Sequence, residues 1–205
     1  MNRVEIKAKA KALAKENFKQ FWAGYLVIIG ISVLLTVGLE LLFDNESMIY
    51  AALNLVASFF TSTLSVGFYL YLLKMIRKEE FSRNDIFAFV GKVLPITAIT
   101  LLVSIFSFFW ALLLIIPGII AALSYSMAFL IYAEDQSLNA MDYLDKSKEM
   151  MKGYKWDYFV FGLSFIGWIL LSIITLGIGL IWILPYITIA EVVYYDELKK
   201  LKANQ

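Results

Sequence analysis

This chain of 205 residues is 61% hydrophobic and 16% aromatic, and only 17% of its residues carry a charge. Because a soluble domain is about 45–50% apolar and about 25% charged, this composition excludes a soluble globular protein, a disordered chain and a basic nucleic-acid binder. Cysteine and histidine are both absent, which excludes disulfides, thiolate and imidazole chemistry and the usual zinc and haem ligands. The composition predicts an integral membrane protein.

Six apolar segments predict transmembrane helices, since about 20 mostly apolar residues cross a hydrocarbon core of about 30 Å. The fold class that follows is all-α, a polytopic membrane helix bundle of six transmembrane helices arranged as three hairpins. The segments are residues 21–43, 48–73, 92–116, 119–133, 156–176 and 178–195. The fourth and sixth are short and follow the apolar turns at Pro117-Gly118 and Gly177-Ile178-Gly179. The alternative for either hairpin is a re-entrant arrangement, in which it enters the membrane and leaves on the same side.

The distribution of basic residues predicts the orientation of these spans. All 18 lysines and arginines lie before the first span, between spans two and three, between spans four and five, or in the carboxyl-terminal tail. Because basic residues collect on the cytoplasmic side, both termini of this multi-pass protein are predicted to be cytoplasmic. A cleaved signal peptide is not expected, since the polar amino-terminal segment is long and the first apolar run is a full span.

Each hairpin is preceded by a segment that predicts an amphipathic surface helix, over residues 3–19, 81–93 and 138–152. The whole chain, residues 1–205, is expected to form one membrane domain. The first surface helix has an apolar stripe of Ile6, Ala10 and Leu13. It also has a basic face, formed by Arg3, Lys7, Lys11 and Lys15. Such a face favours anionic headgroups, so membrane lipids are the predicted partners, on the cytoplasmic side.

The other two surface helices carry recognisable end signals. Ser82 and Asp85 have the spacing of a capping box, and Phe81 and Ile86 that of a hydrophobic staple. In the third segment Gly153 is a natural helix stop. Its predicted apolar face consists of Leu138, Met141, Leu144 and Met151.

An internal repeat is predicted for the last two hairpins, because residues 128–135 align with residues 190–197, 62 positions later. Both copies place a tyrosine shortly before an acidic pair. The alternative is that any span exit favours tyrosine followed by charge. The acidic pairs Glu134-Asp135 and Asp196-Glu197 are the best candidate metal ligands by type, and solvated helix ends are the alternative.

Several stretches carry a family resemblance. They are residues 116–119, 125–126, 133–135, 146–147, 151–156, 163–168, 175–182 and 185–186. Together they resemble a bacterial family of integral membrane proteins known as domain of unknown function 975, most strongly from Pro117 to Tyr195. That family is similar in outline to the membrane domain fused to some glycerophosphoryl diester phosphodiesterases. The resemblance implies a six-span protein of the bacterial cytoplasmic (plasma) membrane and implies no activity, cofactor or catalytic residue.

Polar groups within spans are candidate functional residues. The second span has a polar stripe on one helical face, which is expected to point inward: Asn54, Ser58, Thr61 and Ser65. This stripe indicates either a substrate or ion path or hydrogen-bonded helix packing. Glu40 and Glu191 are candidate intramembrane carboxylates near opposite sides of the membrane.

Prolines and tryptophans mark further features of the spans. Pro117-Gly118 is a predicted turn, and Pro185 should kink the sixth span and free a carbonyl near Ile181. Two aromatic belts are predicted from the tryptophans. The outer belt contains Trp110, Trp168 and Trp182, and the inner belt contains Trp22 and Trp156.

Three functions remain compatible with these features. The favoured one is a non-enzymatic membrane protein that binds lipid or a partner protein, in an accessory, stress-response or immunity-type role. The alternatives are a small transporter or channel along the Asn54 stripe and a membrane enzyme acting on lipid. No cofactor, metal or catalytic residue is expected, and a partner protein or a second copy of the chain is left open.

Overall fold

The chain is helical throughout the part that the structure, a computed structural model, describes: residues 2–113 and 115–203 contain no strand. The α-helices are α1 (Arg3–Glu16), α2 (Phe18–Leu42), α3 (Met48–Arg77), α4 (Val93–Leu113), α5 (Ile115–Tyr125), α6 (Ala128–Glu134), α7 (Ala140–Met150), α8 (Lys155–Leu163), α9 (Ile166–Ile174) and α10 (Leu180–Ala203). Two short 3-10 helices, Arg83–Phe87 and Val90–Lys92, connect α3 to α4. The predicted all-α class is confirmed.

Five segments of the described residues are long and apolar enough to cross a membrane. They are Phe18–Leu42, Met48–Arg77, Arg83–Leu112, Ile116–Glu134 and Lys155–Ile174. These correspond to the first five predicted spans. Helix α10 is not among them, because its first 18 residues include Glu191, Asp196 and Glu197. The chain therefore has the helices of a membrane protein, and the six-span arrangement is not confirmed.

The predicted surface helices differ in how well they match the structure. Helix α1 begins after Asn2, whose side chain accepts hydrogen bonds from the backbone of Val4 and Glu5. Its predicted apolar stripe is buried against α10. Helix α7 also forms, but Met141 is 46% exposed and Tyr143 and Ser147 take the inner face instead.

The segment from residue 81 to 93 is not an α-helix as predicted. Its capping box is present, with the Ser82 amide donating to Asp85 Oδ2 over 2.7 Å. The chain then forms two 3-10 helices, in which residues three apart share a face. Ile86, in the first 3-10 helix, and Phe89, between the two, are both buried. Ile86 packs against Gly67 of α3 and Phe89 against the Tyr132 ring of α6, so contacts with two different helices interrupt the α-helix that the sequence predicts.

The core lies at one end of the molecule. It contains the second half of α3, helix α6, one face of α7 and the second half of α10. Packing there is close: a Cβ added to Gly67 would lie 2.1 Å from the carbonyl oxygen of Ile86. The far ends of the three hairpins are exposed instead, as at Leu41, Leu112 and Leu176. We call this packed core, formed by parts of α3, α6, α7 and α10, the hub. The three hairpins therefore project from the hub.

The two predicted hairpin turns have different outcomes. Leu176 and Gly177 form the α9–α10 turn with positive φ angles of 52° and 89°. Pro117 and Gly118, in contrast, lie in the first turn of α5 rather than ahead of it. A Cβ on Gly118 would lie 2.7 Å from the Ala111 Cα. Gly118 is therefore a point of close α4–α5 packing rather than part of the connection.

Candidate functional site

The polar stripe of α3 does not line the interior of the hub. Ser58 and Ser65 are exposed, whereas Asn54 and Thr61 are partly buried. The Ser58 hydroxyl donates to the Leu55 carbonyl over 2.7 Å, and the Thr61 hydroxyl donates to that of Ser58 over 2.9 Å. The prediction that this face points inward is wrong for the single chain. Its hydroxyls are satisfied by their own helix.

The predicted acidic pairs meet at an arginine from α3. Arg77 binds Glu134 over 2.5 Å and Asp196 over 2.7 Å. Lys199 and Lys200 add further ion pairs to Glu134 and Asp196. We call these five residues the Arg77 cluster. Glu134 and Asp196 occupy aligned positions of the predicted repeat, which itself stays a prediction.

The outer members of the acidic pairs are also engaged. Asp135 pairs with Lys146 over 3.6 Å, and Glu197 pairs with Lys9 over 2.6 Å. In the described residues, no group of three or more Asp and Glu side chains is arranged to hold a metal ion. The four carboxylates therefore act as partners for lysine and arginine, at the junction of α1, α3, α6 and α10.

Ion pairing also sets the acidity of these groups. Burial alone would raise the pKa of Asp196, but hydrogen bonds and charge from Lys200 and Arg77 hold its pKa below the ordinary value. The hydrogen bond and charge of Lys9 likewise lower the pKa of Glu197. Both carboxylates thus stay charged at neutral pH.

The basic face of α1 divides into two halves with different surroundings. Arg3 forms an ion pair with Asp157 over 3.3 Å, and the Lys7 ammonium donates to the Ser164 hydroxyl over 3.0 Å. Lys11 and Lys15 have no carboxylate within ion-pair distance in the described part of the chain. The first half therefore fixes α1 on the third hairpin (α8 to α10), and the second half keeps its charges free.

Lys11 and Lys15 stand beside an aromatic groove, which we call the α1 groove. Its volume is about 550 Å³. It lies between α1 and the third hairpin and is lined by Lys11, Ala14, Lys15, Phe18, Trp168, Trp182, Ile183 and Tyr186. The groove therefore combines two free ammonium groups with an apolar, aromatic floor.

One hydrogen bond contradicts the predicted tryptophan belts. The Trp22 indole nitrogen donates to the Ile181 carbonyl over 3.0 Å. This is the carbonyl that Pro185 was predicted to free, and the bond satisfies it. Trp22 was placed in the inner belt and Trp182, next to Ile181, in the outer one. Since a hydrocarbon core is about 30 Å thick, residues in direct contact cannot lie on its opposite sides.

A second groove has similar chemistry beside the second hairpin. We call it the α7 groove, and its volume is about 280 Å³. Its lining includes two lysines and two aromatic side chains: Lys148, Lys155, Trp110 and Tyr125. Lys148 belongs to α7, the amphipathic helix that packs along α4 and α5. Trp110, also assigned to the outer belt, thus shares a groove with lysines assigned to the cytoplasmic side.

The two candidate carboxylates have unlike settings. Glu40 is exposed in the last turn of α2. Glu191 is only partly exposed, lines a cavity between α8 and α10, and lies 3.4 Å from the Tyr158 hydroxyl. The structure does not bring Glu40 and Glu191 together, and neither of them lies at the polar stripe of α3.

Sequence reasoning missed the partners rather than the residues. Lys11 and Lys15 were chosen as lipid-facing, but Trp168, Trp182 and Tyr186 were assigned only to a belt and a closing motif. Basic residues occur at every fourth position of α1, which shows that they share one helical face. This spacing does not distinguish Lys7 from Lys11. Only the position of the third hairpin separates the engaged lysines from the free ones.

Comparisons with known proteins confirm the family resemblance over the carboxyl-terminal part of the chain. Residues 112–202 match the model of the family described as Protein of unknown function (DUF975). No curated protein and no solved structure matches the chain. The similarity to the glycerophosphoryl diester phosphodiesterase membrane domain is not shown and stays a prediction.

Proposed function

We propose that this chain, which matches DUF975 over residues 112–202, is a non-enzymatic membrane protein that binds anionic phospholipid in the α1 groove. The observation that carries the proposal is the pair of unpartnered ammonium groups, Lys11 and Lys15, beside an aromatic floor. A phospholipid has the complementary arrangement, a phosphate next to an apolar body. Lysine binds phosphate as a compact charge, and tryptophan and tyrosine favour the headgroup level.

The position of the α1 groove relative to the membrane supports binding of a lipid rather than of a soluble anion. Helix α1 has five basic residues within 14 and cannot lie in hydrocarbon without large cost. The third hairpin lies against it, through the contacts of Lys7 with Ser164 and of Trp22 with Ile181. In our proposal the tip of this hairpin lies near the same interface as α1 and is re-entrant, one of the arrangements that the sequence allows.

The proposed setting is the bacterial cytoplasmic membrane with both termini on the cytoplasmic side. The one-sided placement of all 18 basic residues supports this orientation. The leaflet on that side contains anionic lipid, which attracts a basic segment by about 1 kcal/mol per lysine near the surface. The α7 groove offers the same chemistry a second time, next to the second hairpin.

Lipid binding can be tested directly with Lys11→Gln and Lys15→Gln combined. In nanodiscs of neutral lipid, the parent protein should bind fluorescent phosphatidylglycerol more tightly than fluorescent phosphatidylcholine. The double variant should lose about tenfold in affinity for the anionic lipid, since two charges are worth about 2 kcal/mol at most here. The matched control is Lys78→Gln with Lys152→Gln, two exposed lysines outside both grooves. Equal losses in both double variants would contradict the α1 groove as the site.

The re-entrant position of the third hairpin has a separate test. The chain has no cysteine, so single cysteines at Ile178 and at Asn45 can be labelled without background from other thiols. Asn45 lies in the α2–α3 connection and should react only with a reagent supplied outside. Ile178, which is exposed in the α9–α10 turn, should not react from outside. Reaction of both from the same outer side would show that the third hairpin crosses the membrane.

A further inference from the structure

A cavity separate from both grooves lies between α8 and α10, with α5 at its side. Its volume is about 340 Å³. Its lining is mostly apolar and aromatic, and Glu191 is the charged residue in it. Other residues of the lining are Leu123, Tyr158, Phe161, Phe165 and Ile187. We call this space the Glu191 cavity.

Within the residues that the structure describes, Glu191 is not part of the ion pairs that join the helices at this end of the molecule. Glu134, Asp135, Asp157, Asp196 and Glu197 all form ion pairs, whereas none of the ion pairs among the described residues includes Glu191. The Tyr158 hydroxyl lies 3.4 Å from one carboxylate oxygen, and the Tyr69 hydroxyl of α3 also faces this group. Hydroxyl groups can donate to a carboxylate, but they do not neutralise it. A charge held in apolar surroundings without a counter-ion is costly, so a cation bound beside Glu191 would stabilise the charged form of its carboxylate.

The walls of the cavity suit one kind of cation. The Phe161 ring packs edge to face on Phe165 and stacks on Tyr158, with centroid distances of 5.1 Å and 6.2 Å. The Lys7 ammonium lies over the Phe165 ring, 5.0 Å from its centroid, so one ring of this group already binds an ammonium. Faces of aromatic rings attract ammonium groups, and a quaternary ammonium is the ligand that aromatic cages bind best. A hard metal ion needs about six oxygen ligands, whereas the side chains that line this space include one carboxylate, Glu191, and one hydroxyl, that of Tyr158. The apolar walls also favour a ligand with hydrocarbon groups.

We propose that the Glu191 cavity binds an organic ammonium ion, with the cationic nitrogen at Glu191 and its hydrocarbon groups against Tyr158 and Phe161. The residues involved are different from those of the α1 groove, so the two proposals stand independently. The ligand class is an alkyl- or arylammonium compound of modest size, because the cavity is at the lower end of the range for small-molecule sites.

Phenyltrimethylammonium and its neutral isostere tert-butylbenzene provide a direct test. Calorimetric titration of the protein in lipid nanodiscs, with empty nanodiscs subtracted, should show saturable binding of the cation at one site per chain. Tert-butylbenzene should show no saturable site. Glu191→Gln, which keeps the size of the side chain and removes its charge, should weaken cation binding at least tenfold. Glu40→Gln, which removes an exposed carboxylate on α2, is the matched control and should leave binding unchanged.

A second variant keeps the test valid if Glu191→Gln is poorly folded. Tyr158→Phe retains the ring and should reduce binding by no more than about threefold, because it keeps both the Glu191 carboxylate and the aromatic wall. Equal binding by Glu191→Gln and the parent, or saturable binding of both probes, overturns the proposal. The Lys11 and Lys15 double variant should bind the cation normally. Loss of phospholipid binding with retained cation binding would therefore affect only the α1 groove.

Discussion

The hub and the hairpin tips have similar apolar composition but different neighbours. In the hub, Leu64, Leu72 and Tyr194 are almost fully buried, and the Arg77 cluster joins α3, α6 and α10. At the tips, Leu41 is 80% exposed and Leu176 is 94% exposed. Apolar residues at the tips are suited to contact lipid, and those in the hub contact protein. Substitutions should therefore have large effects in the hub and small effects at the tips.

The largest expected effect is that of Arg77→Ala. It leaves Glu134 and Asp196 without the side chain that joins them, and loss of one partner of a buried ion pair costs about 3–5 kcal/mol. Because Arg77 is 27% exposed and Lys199 and Lys200 remain, we expect the lower end of that range, about 3 kcal/mol. Thermal unfolding in detergent should show a midpoint lower by about 6–12 °C. Lys152→Ala, an exposed lysine outside the cluster, should shift the midpoint by less than a degree or two.

A pair of glycine substitutions compares hub and tip directly. Gly67→Ala places a Cβ against the Ile86 backbone and should destabilise the protein by about 1–3 kcal/mol, the usual cost of overpacking. Gly38→Ala has no atom within 4 Å and should be neutral or stabilise α2 by up to about 1 kcal/mol. Unfolding midpoints of the two variants measure the difference. If Gly38→Ala destabilised as much as Gly67→Ala, α2 would be packed against protein in the membrane.

Acidification should loosen the hub through Asp196 and Glu197. Ion pairing lowers the pKa of both carboxylates in the folded chain. Their contribution to the free energy of unfolding is therefore complete above their unfolded pKa values of about 4, and it declines as pH falls toward the folded values. Thermal midpoints measured between pH 7 and pH 3 should fall mainly below pH 4. Asp196→Asn should be less stable at pH 7 and show a shallower decline.

Trp22→Phe is expected to have the smallest effect. It removes the hydrogen bond to the Ile181 carbonyl and keeps an aromatic ring, at a cost of about 1 kcal/mol. Trp156→Phe is the matched control, because Trp156 is 73% exposed. Unfolding of both variants in nanodiscs provides the measurement. A Trp22→Phe protein as stable as the control would count against the contact between α2 and the third hairpin.

Local signals in the sequence predicted local structure well. The stripe of Ile6, Ala10 and Leu13 identified the buried face of α1, and Ser82 and Asp85 identified a capping box. Both patterns depend on residues a few positions apart. The two 3-10 helices, Arg83–Phe87 and Val90–Lys92, were missed, because this segment packs through Ile86 on α3 and through Phe89 on Tyr132 of α6, contacts that helix propensity does not show.

The candidate sites were harder to predict because they depend on distant partners. Glu134 and Asp196 were chosen as candidate metal ligands by type, but the partner that joins them, Arg77, lies 57 and 119 positions away in the chain. A carboxylate looks the same in sequence whether it faces a metal ion or an arginine. The difference is decided by packing, which brings the carboxyl end of α3 between α6 and α10.

The sequence by itself determined that this is a helical membrane protein with all its basic residues in four segments, because composition and apolar run length depend on no tertiary contact. Tertiary structure alone decided which of those basic residues are free. Contacts between α1 and the third hairpin engage Arg3 and Lys7 and leave Lys11 and Lys15 beside an aromatic groove. A contact between α2 and the same hairpin places Trp22 against Ile181, since depth in a membrane is set by how helices pack and not by their order along the chain.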